Sequence, residues 1–409
     1  MKARIIIFIV VPIVLLALAL VGGSDLLLRL FFLSVLVPLV SFLWTLFGIR
    51  GISAAAERPP EHCQVGEQVQ QKITIYNDSK LPKFWLGILG NTDMPGHQET
   101  TAINLLPKRS HHWQSTVHCR RRGRYHIGSV IATATDPLGL FSQRCTLGNT
   151  HSILVYPATH DIPLFKLSPF NDFGYGSGHR SLRQIGTNAS SVREFATGDS
   201  LHHIHWGSTA HTGKLMVKVF DADRSASTAK NVWVVLDMQK ACNVGQGEET
   251  TEEYGITIAA SVVKKYLENG MEVGMTALGD QTYLFPPNRG DEHFRSILEA
   301  LAVMKATGEV PIDQLILEQM KRFSDNSLVI IISPSAAGHL VTAARRLKNR
   351  VDSVVALLLD ATSFGGGTGA INTARNMSLA GVHSYIIGQG DELATVLGER
   401  FDTTHLRYF

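Results

Sequence analysis

The sequence predicts a membrane-anchored multidomain chain. Its expected parts are an N-terminal transmembrane helical hairpin over residues 1–50, an all-β sandwich over 58–157, a linker over 158–190 and an α/β domain within 191–409. Three patterns carry this reading. Two long apolar runs open the chain, short segments of two-residue period between turn residues follow, and strand and helix patterns alternate from Val232 onward. At 409 residues, with 44% hydrophobic and 18% charged, the chain is long enough for several domains of ordinary globular composition. A net charge of +3 is too small to point to nucleic acid.

Ile5 to Val21 is the first apolar run and Leu30 to Ile49 the second, with Gly22-Gly23-Ser24-Asp25 as a turn between them. Each is close to the length that crosses a bilayer as a helix. Lys2 and Arg4 precede the first run, and Arg50 and Arg58 follow the second, so the positive-inside rule places both ends and the body in the cytoplasm. Ala17-Leu18-Ala19 resembles a signal-peptide cleavage site, but the apolar stretch is longer than a usual signal core and a second follows it at once. Cys63, Cys119, Cys145 and Cys242 show neither paired spacing nor framework density, so they read as buried thiols of a reducing compartment.

In the β region, Val69, Ile73 and Ile75 share one parity, and Trp113, Val117 and Cys119 form another such set. Asn77-Asp78, Asn91 to Gly96 and Asp136-Pro137 break the runs. Many short strands at this spacing predict a sandwich of immunoglobulin-like type. Asp172 to Gly178 is glycine-rich without a sustained period and reads as linker. Strands are then expected at Val232 to Leu236, Glu272 to Leu278, Leu328 to Ser333, Ser353 to Leu359 and His383 to Ile387. Helices are expected at Thr251 to Asn269, His293 to Met304, Gly338 to Asn349 and Asp391 to Arg400, giving a mostly parallel sheet covered on both faces.

The most informative stretch runs from Val192 to Phe220. Asp199 is placed to N-cap a short helix carrying Leu201, Ile204 and Trp206, and Thr212-Gly213 turns into a strand over Leu215 to Phe220. The pattern resembles the bacterial membrane family catalogued as domain of unknown function 58, through Arg193, Glu194, Gly198, Asp199, Ile204, His205, Trp206 and Ala210. His202, His203 and His211 stand where that family usually has arginine, which weakens any carboxylate or phosphate contact made there. Arg121-Arg122-Gly123-Arg124-Tyr125 and Asp136-Pro137-Leu138-Gly139-Leu140-Phe141 also look like family hallmarks. The resemblance implies a von Willebrand factor A-like fold for the α/β domain and association with a MoxR-type AAA+ ATPase.

An A-domain metal loop resembles D-x-S-x-S, whereas this chain has Asp237-Met238-Gln239-Lys240-Ala241, followed at a later strand end by Ser333-Pro334-Ser335. With Ala241 offering no side-chain oxygen, no metal is expected. Zinc on His202, His203, His205 and His211 is disfavoured because the paired Cys/His spacings and H-E-x-x-H are absent. Ser363 to Ala370 resembles the phosphate loop of tubulin-like GTPases but follows no nucleotide-binding half, so a flexible surface loop is expected. Arg120 to Arg124 reads as a solvated turn more readily than as a lipid-headgroup contact.

The leading expectation is a non-enzymatic inner-membrane scaffold without cofactor, holding lipid through its hairpin and presenting an interaction platform to a MoxR-type AAA+ ATPase. Its interaction candidates are Arg193, Glu194, Gly198, Asp199, His202, His203, His205, Trp206 and His211. The alternatives are a histidine-dependent metallohydrolase and an Mg-dependent A-domain adhesion module.

Overall fold

The computed structural model describes residues 2–96, 100–162, 191–195, 204–219 and 231–398. By its contacts the chain divides into two units, Met1–Ala158 with Leu298–Val303, and Thr159–Ile297 with Met304–Phe409.

The first unit opens with α1 (Lys2–Gly22) and α2 (Asp25–Ile49), two apolar helices packed side by side. Asp25 opens α2, where a carboxylate complements the positive helix end. Over 25 residues α2 spans about 37 Å at 1.5 Å per residue, and its best window has a mean hydropathy of 2.4. By length and composition it can cross a membrane.

Ten strands follow: β1 (Ile52–Ala56), β2 (His62–Gln64), β3 (Gln68–Asn77), β4 (Lys83–Asn91), β5 (Thr100–Leu105), β6 (Ser110–His118), β7 (Gly123–Ile127), β8 (Ser129–Thr135), β9 (Ser142–Leu147) and β10 (His151–Tyr156). They form sheets of order β1-β3-β6, β5-β4-β8-β9 and β2-β10-β7. The first two share one core, in which Ile73, Ile75 and Trp113 meet Leu86, Ile88 and Ala132. The alternation read from Val69, Ile73 and Ile75 is the buried face of β3, and β6 pairs with it so that Ile73 lies opposite Trp113. Strand β1 begins before residue 58, where the sequence places the domain edge. Its Ile52 belongs to the core although Ala54, Ala55 and Ala56 give it little hydrophobic pattern.

Of the expected linker, residues 163–190 lie outside the described residues. The second unit then contains β11 (Ser191–Glu194), α3 (Trp206–Thr212), β12 (Met216–Val219), β13 (Asn231–Leu236), the short pair β14 (Gly245–Gln246) and β15 (Glu249–Thr250), and α4 (Thr251–Glu268). It continues with β16 (Glu272–Leu278), β17 (Thr282–Asn288), α5 (Asp291–Val303, whose last residues from Leu298 count with the first unit), α6 (Ile312–Gln319), β18 (Ser327–Ser333), α7 (Gly338–Lys348), β19 (Ser353–Leu359), α8 (Ile371–Leu379), β20 (His383–Ile387) and α9 (Leu393–Gly398).

Its main sheet has the order β17-β16-β13-β18-β19-β20, parallel throughout except for the edge pair β16–β17. Both faces are covered, so β13 and β18 are almost wholly apolar and buried. One face packs on α6, α7 and α8 through Leu315, Leu340, Leu347 and Met377. Helix α4 covers the other, capped by Thr250, whose hydroxyl accepts from the Glu253 amide at 3.1 Å. Strand β17 escapes a sequence reading because it contains Pro286-Pro287, tolerated only because it lies at the sheet edge.

Candidate functional site

The family-like stretch builds a small arm. Strands β11 and β12 pair antiparallel with Arg193 opposite Val217 and Glu194 opposite Met216. Ile204 bridges to Val217 as well, and both side chains are buried. That pairing takes Ile204 out of the helix expected to carry it. The helix begins at Trp206, and the cap is His205: its Nδ1 accepts the Ser208 amide at 3.0 Å and lies 2.8 Å from the Ser208 hydroxyl. An Nδ1 that accepts an amide proton leaves the ring proton on Nε2. Gly213 closes α3 in the left-handed conformation at φ 69°, donating its amide to Thr209 O at 2.9 Å.

The arm presents its largest aromatic to solvent. Trp206 is 69% exposed, and His211 is exposed in the last turn of the same helix. Glu194 and Lys214 form an exposed ion pair at 3.0 Å beside them. Gly198, Asp199, His202 and His203 lie outside the described residues, as does Phe220.

A second cluster sits where the sheet order reverses. Strand β13 has β16 on one side and β18 on the other, and the carboxyl ends bordering such a reversal form a crevice where open α/β sheets bind ligands. Asp237 follows β13 there, 3% exposed. Its Oδ2 accepts the Ser333 hydroxyl at 2.5 Å and its Oδ1 accepts the Gln239 amide at 3.1 Å. Burial pushes this carboxyl up to about 6; the two hydrogen bonds oppose the shift and nearby Asp313 adds to it.

Around it, the Cys242 thiol donates to Gln239 Oε1 at 3.2 Å, and Asn243 Nδ2 donates to Gln239 O at 3.0 Å. The Thr251 hydroxyl donates to Asn243 Oδ1 at 3.0 Å. Asn243 and Thr251 carried no signal in the sequence, because their role is to hold the loop rather than to match a motif. Burial and the Asp237 charge raise the Cys242 thiol. Ala241 is exposed and supplies no donor atom, and among the described residues no three His, Cys, Asp or Glu side chains group as metal ligands.

The glycine-rich loop is closed by hydrogen bonds of its own. Asp360, at the end of β19, accepts the Ala370 amide at 3.0 Å and the Thr362 hydroxyl at 2.8 Å, and Gly366 donates to Ala361 O at 2.7 Å. A side chain at Gly366 would meet Ala361 O at 2.8 Å, so glycine there serves close backbone approach. The amides of Ser363, Phe364, Gly365, Gly366 and Ala370 are all spent inside the loop and its turn.

The other two hallmarks are turn chemistry. Asp136 is buried and accepts the amides of Leu138 at 3.1 Å and Phe141 at 2.7 Å, closing the β8–β9 turn. Gly123 has φ 145°, and a Cβ there would lie 3.3 Å from the Tyr125 ring. In the arginine run Arg122 is buried rather than solvated, and its carbonyl accepts the Tyr125 hydroxyl at 3.2 Å.

Residues 191–363 match the family described as Protein of unknown function DUF58. The chain is 23% identical over 286 residues to the uncharacterized protein YeaD of Bacillus subtilis (strain 168), covering 68% of this chain and 69% of that one. Among solved structures, it resembles the CARDB domain of PF1109 from Pyrococcus furiosus at a TM-score of 0.20 and 11% identity, over 26% of this chain and 94% of that one. It also resembles proximal thread matrix protein 1 from the mussel byssus at a TM-score of 0.30 and 15% identity, over 42% and 47% of the two chains. Likenesses at these scores carry no functional information.

Proposed function

Because this chain belongs to the DUF58 family through residues 191–363, we propose that it is a non-enzymatic scaffold of the inner membrane, held by two spans with its body in the cytoplasm. Its α/β unit is a degenerate von Willebrand factor A-like domain, its β unit an immunoglobulin-like sandwich, and its partner a MoxR-type AAA+ ATPase acting in assembly or remodelling of envelope proteins. One observation carries the reading: Trp206 stands 69% exposed on a short helix rigidly capped at both ends. Exposed aromatics on a fixed frame are what interfaces bury, since they gain large apolar contact at little entropic cost. The strand-end crevice supports the non-enzymatic half. Both oxygens of Asp237 are engaged by Ser333 and Gln239, and the two loop positions that would add ligand oxygens hold Gln239 and Ala241.

The test places a photo-crosslinking amino acid at position 211 of the full chain in its own cell, with ATP hydrolysis blocked. The reading expects an adduct with an AAA+ ATPase subunit. Adducts only with lipid or with a second copy of this chain would refute it.

A further inference from the structure

The turn-bearing end of the β unit joins α2 through several independent contacts. Trp44 stacks on Phe84 at 6.3 Å between ring centres, Phe42 meets Phe141 edge-on at 5.7 Å, and the buried Lys83 amine donates to Phe47 O at the helix end. Gly48 permits the approach, for a Cβ there would lie 2.9 Å from the Ala134 side chain. Counting about 20 residues of helix from Asp25, enough for about 30 Å of hydrocarbon, brings the membrane boundary to the neighbourhood of Trp44. The turn that Trp44 stacks against therefore lies at the same level.

That level carries an unusual set of side chains. Leu81, Phe84, Trp85, Leu106 and Leu138 are all exposed, on the β3–β4 turn and start of β4, the β5–β6 turn and the β8–β9 turn. The three turns sit together: Asn77 Nδ2 donates to Leu81 O at 2.9 Å and Leu106 O at 3.1 Å, while Phe141 of the third touches Phe42. Arg50, Lys80, Lys108 and Arg109 are exposed on the same turns and helix end, against the exposed Asp78 and the buried Asp136. Among the described residues, the non-glycine residues with positive φ are Trp85 at 51° and Lys108 at 57°, and both belong here. An exposed tryptophan held in a left-handed backbone, its amide fixed by Asn104 Oδ1 at 2.9 Å, is a costly placement that a surface without a partner does not need.

We propose that this face docks on the headgroup and upper acyl region of the bilayer leaflet that α2 enters, with Trp85, Phe84 and the leucines at the acyl boundary and the cations on anionic phospholipid headgroups. Tryptophan and basic residues partition to this zone, and cations near an anionic leaflet are attracted to it. The docking rests on the reading of α2 as a span. It would hold the β unit flat on the membrane instead of swinging on a tether.

The test reconstitutes the full chain into vesicles of phosphatidylethanolamine with about one third phosphatidylglycerol, so that the leaflet is anionic. Some vesicles carry shallow-brominated and others deep-brominated acyl chains, and wild-type emission is compared with Trp85→Phe and Trp44→Phe. Exposure of Trp85 lets the conservative variant fold. Shallow bromines are expected to quench the Trp85 component at least about twofold more than deep ones, as an interfacial tryptophan requires. Replacing the anionic lipid by phosphatidylcholine should weaken that quenching and leave Trp44 unchanged. Quenching of Trp44 without Trp85 would overturn the docking while the span stands. Quenching of neither would overturn the span and the docking with it, and an unquenched but blue-shifted Trp85 would assign the face to a protein contact instead. No change on removing the anionic lipid would overturn the headgroup assignment.

Discussion

Ser333 donates its hydroxyl to Asp237 at 2.5 Å, joining the carboxyl ends of β18 and β13 at the point where the sheet order reverses. The Ser335 amide donates in turn to the Ser333 oxygen at 2.9 Å, so the carboxylate sits at the end of a short chain of hydrogen bonds in a site almost closed to water. A charge held there is strained by desolvation, and its energetic sign follows.

The carboxyl of Asp237 is raised from 3.8 to about 6, so the folded state keeps a proton that the unfolded chain releases between those values. Its contribution is full below the ordinary value and is lost as pH rises through about 6. At pH 7 holding this carboxylate ionised in the fold costs about 3 kcal/mol, because each tenfold rise in its affinity for a proton corresponds to about 1.4 kcal/mol. Asn in its place keeps an acceptor for the Gln239 amide and gives Ser333 a donor. Asp237→Asn is therefore predicted to match wild type in thermal stability near pH 4 and exceed it by about 1–3 kcal/mol near pH 7.5. A less stable variant at the higher pH would show that the ionised carboxylate is paired with something that favours its charge.

In the arm, the residue that matters to folding is the histidine cap. His205→Ala removes the acceptor of the Ser208 amide and should cost about 1 kcal/mol of local stability. Trp206→Ala, at an exposed position, should shift stability by no more than about 0.5 kcal/mol. Amide exchange across residues 204–219 in the detergent-extracted chain distinguishes them: faster exchange in the histidine variant and wild-type rates in the tryptophan variant. The reverse order would mean that Trp206 is covered by part of this chain.

Asp136→Ala leaves the Leu138 and Phe141 amides without their acceptor, at a cost of about 1–3 kcal/mol. Asp136→Asn retains one acceptor oxygen and should recover part of the loss. Equal melting of all three proteins would remove Asp136 from the turn's energetics.

Cys63 and Cys119 are free and buried, with sulfurs 2.9 Å apart; the hydrogen bond to Cys119 and burial both push the Cys63 thiol up. In an oxidising compartment so close a pair would be expected to become a disulfide, while the cytosol keeps thiols reduced. Acid quenching of intact cells, then alkylation in denaturant, should label both cysteines. A disulfide recovered from unstressed cells would contradict the cytoplasmic placement of the β unit.

Much of the fold was legible where burial is complete or strictly periodic. Ser327–Ser333 and Ser353–Leu359 read as strands because both faces of the sheet are covered, and Thr251–Glu268 reads as a helix because its start signal and amphipathic stripe agree. Elements lacking such signals were lost: Ile52–Ala56 is mostly small side chains, Thr282–Asn288 holds two prolines, and Ile371–Leu379 is too polar to show a stripe. The arm misled for a tertiary reason. Ile204, expected inside the helix, pairs with Val217 instead and the described helix starts at Trp206, and seven residues of helix are too few to show which side faces water.

If the exposed face of α3 engages an AAA+ ATPase at the membrane, Trp206 is its anchor. The most direct measurement is the amount of that ATPase recovered with the tagged, membrane-extracted full chain when ATP hydrolysis is blocked, from cells carrying wild type, Trp206→Ala or His211→Ala. We predict a near-stoichiometric AAA+ partner with wild type and at least a tenfold loss with Trp206→Ala, about 1.4 kcal/mol or more of binding, at unchanged melting temperature. Equal recovery of the ATPase with wild type and Trp206→Ala, or its absence from all three, would contradict the scaffold reading.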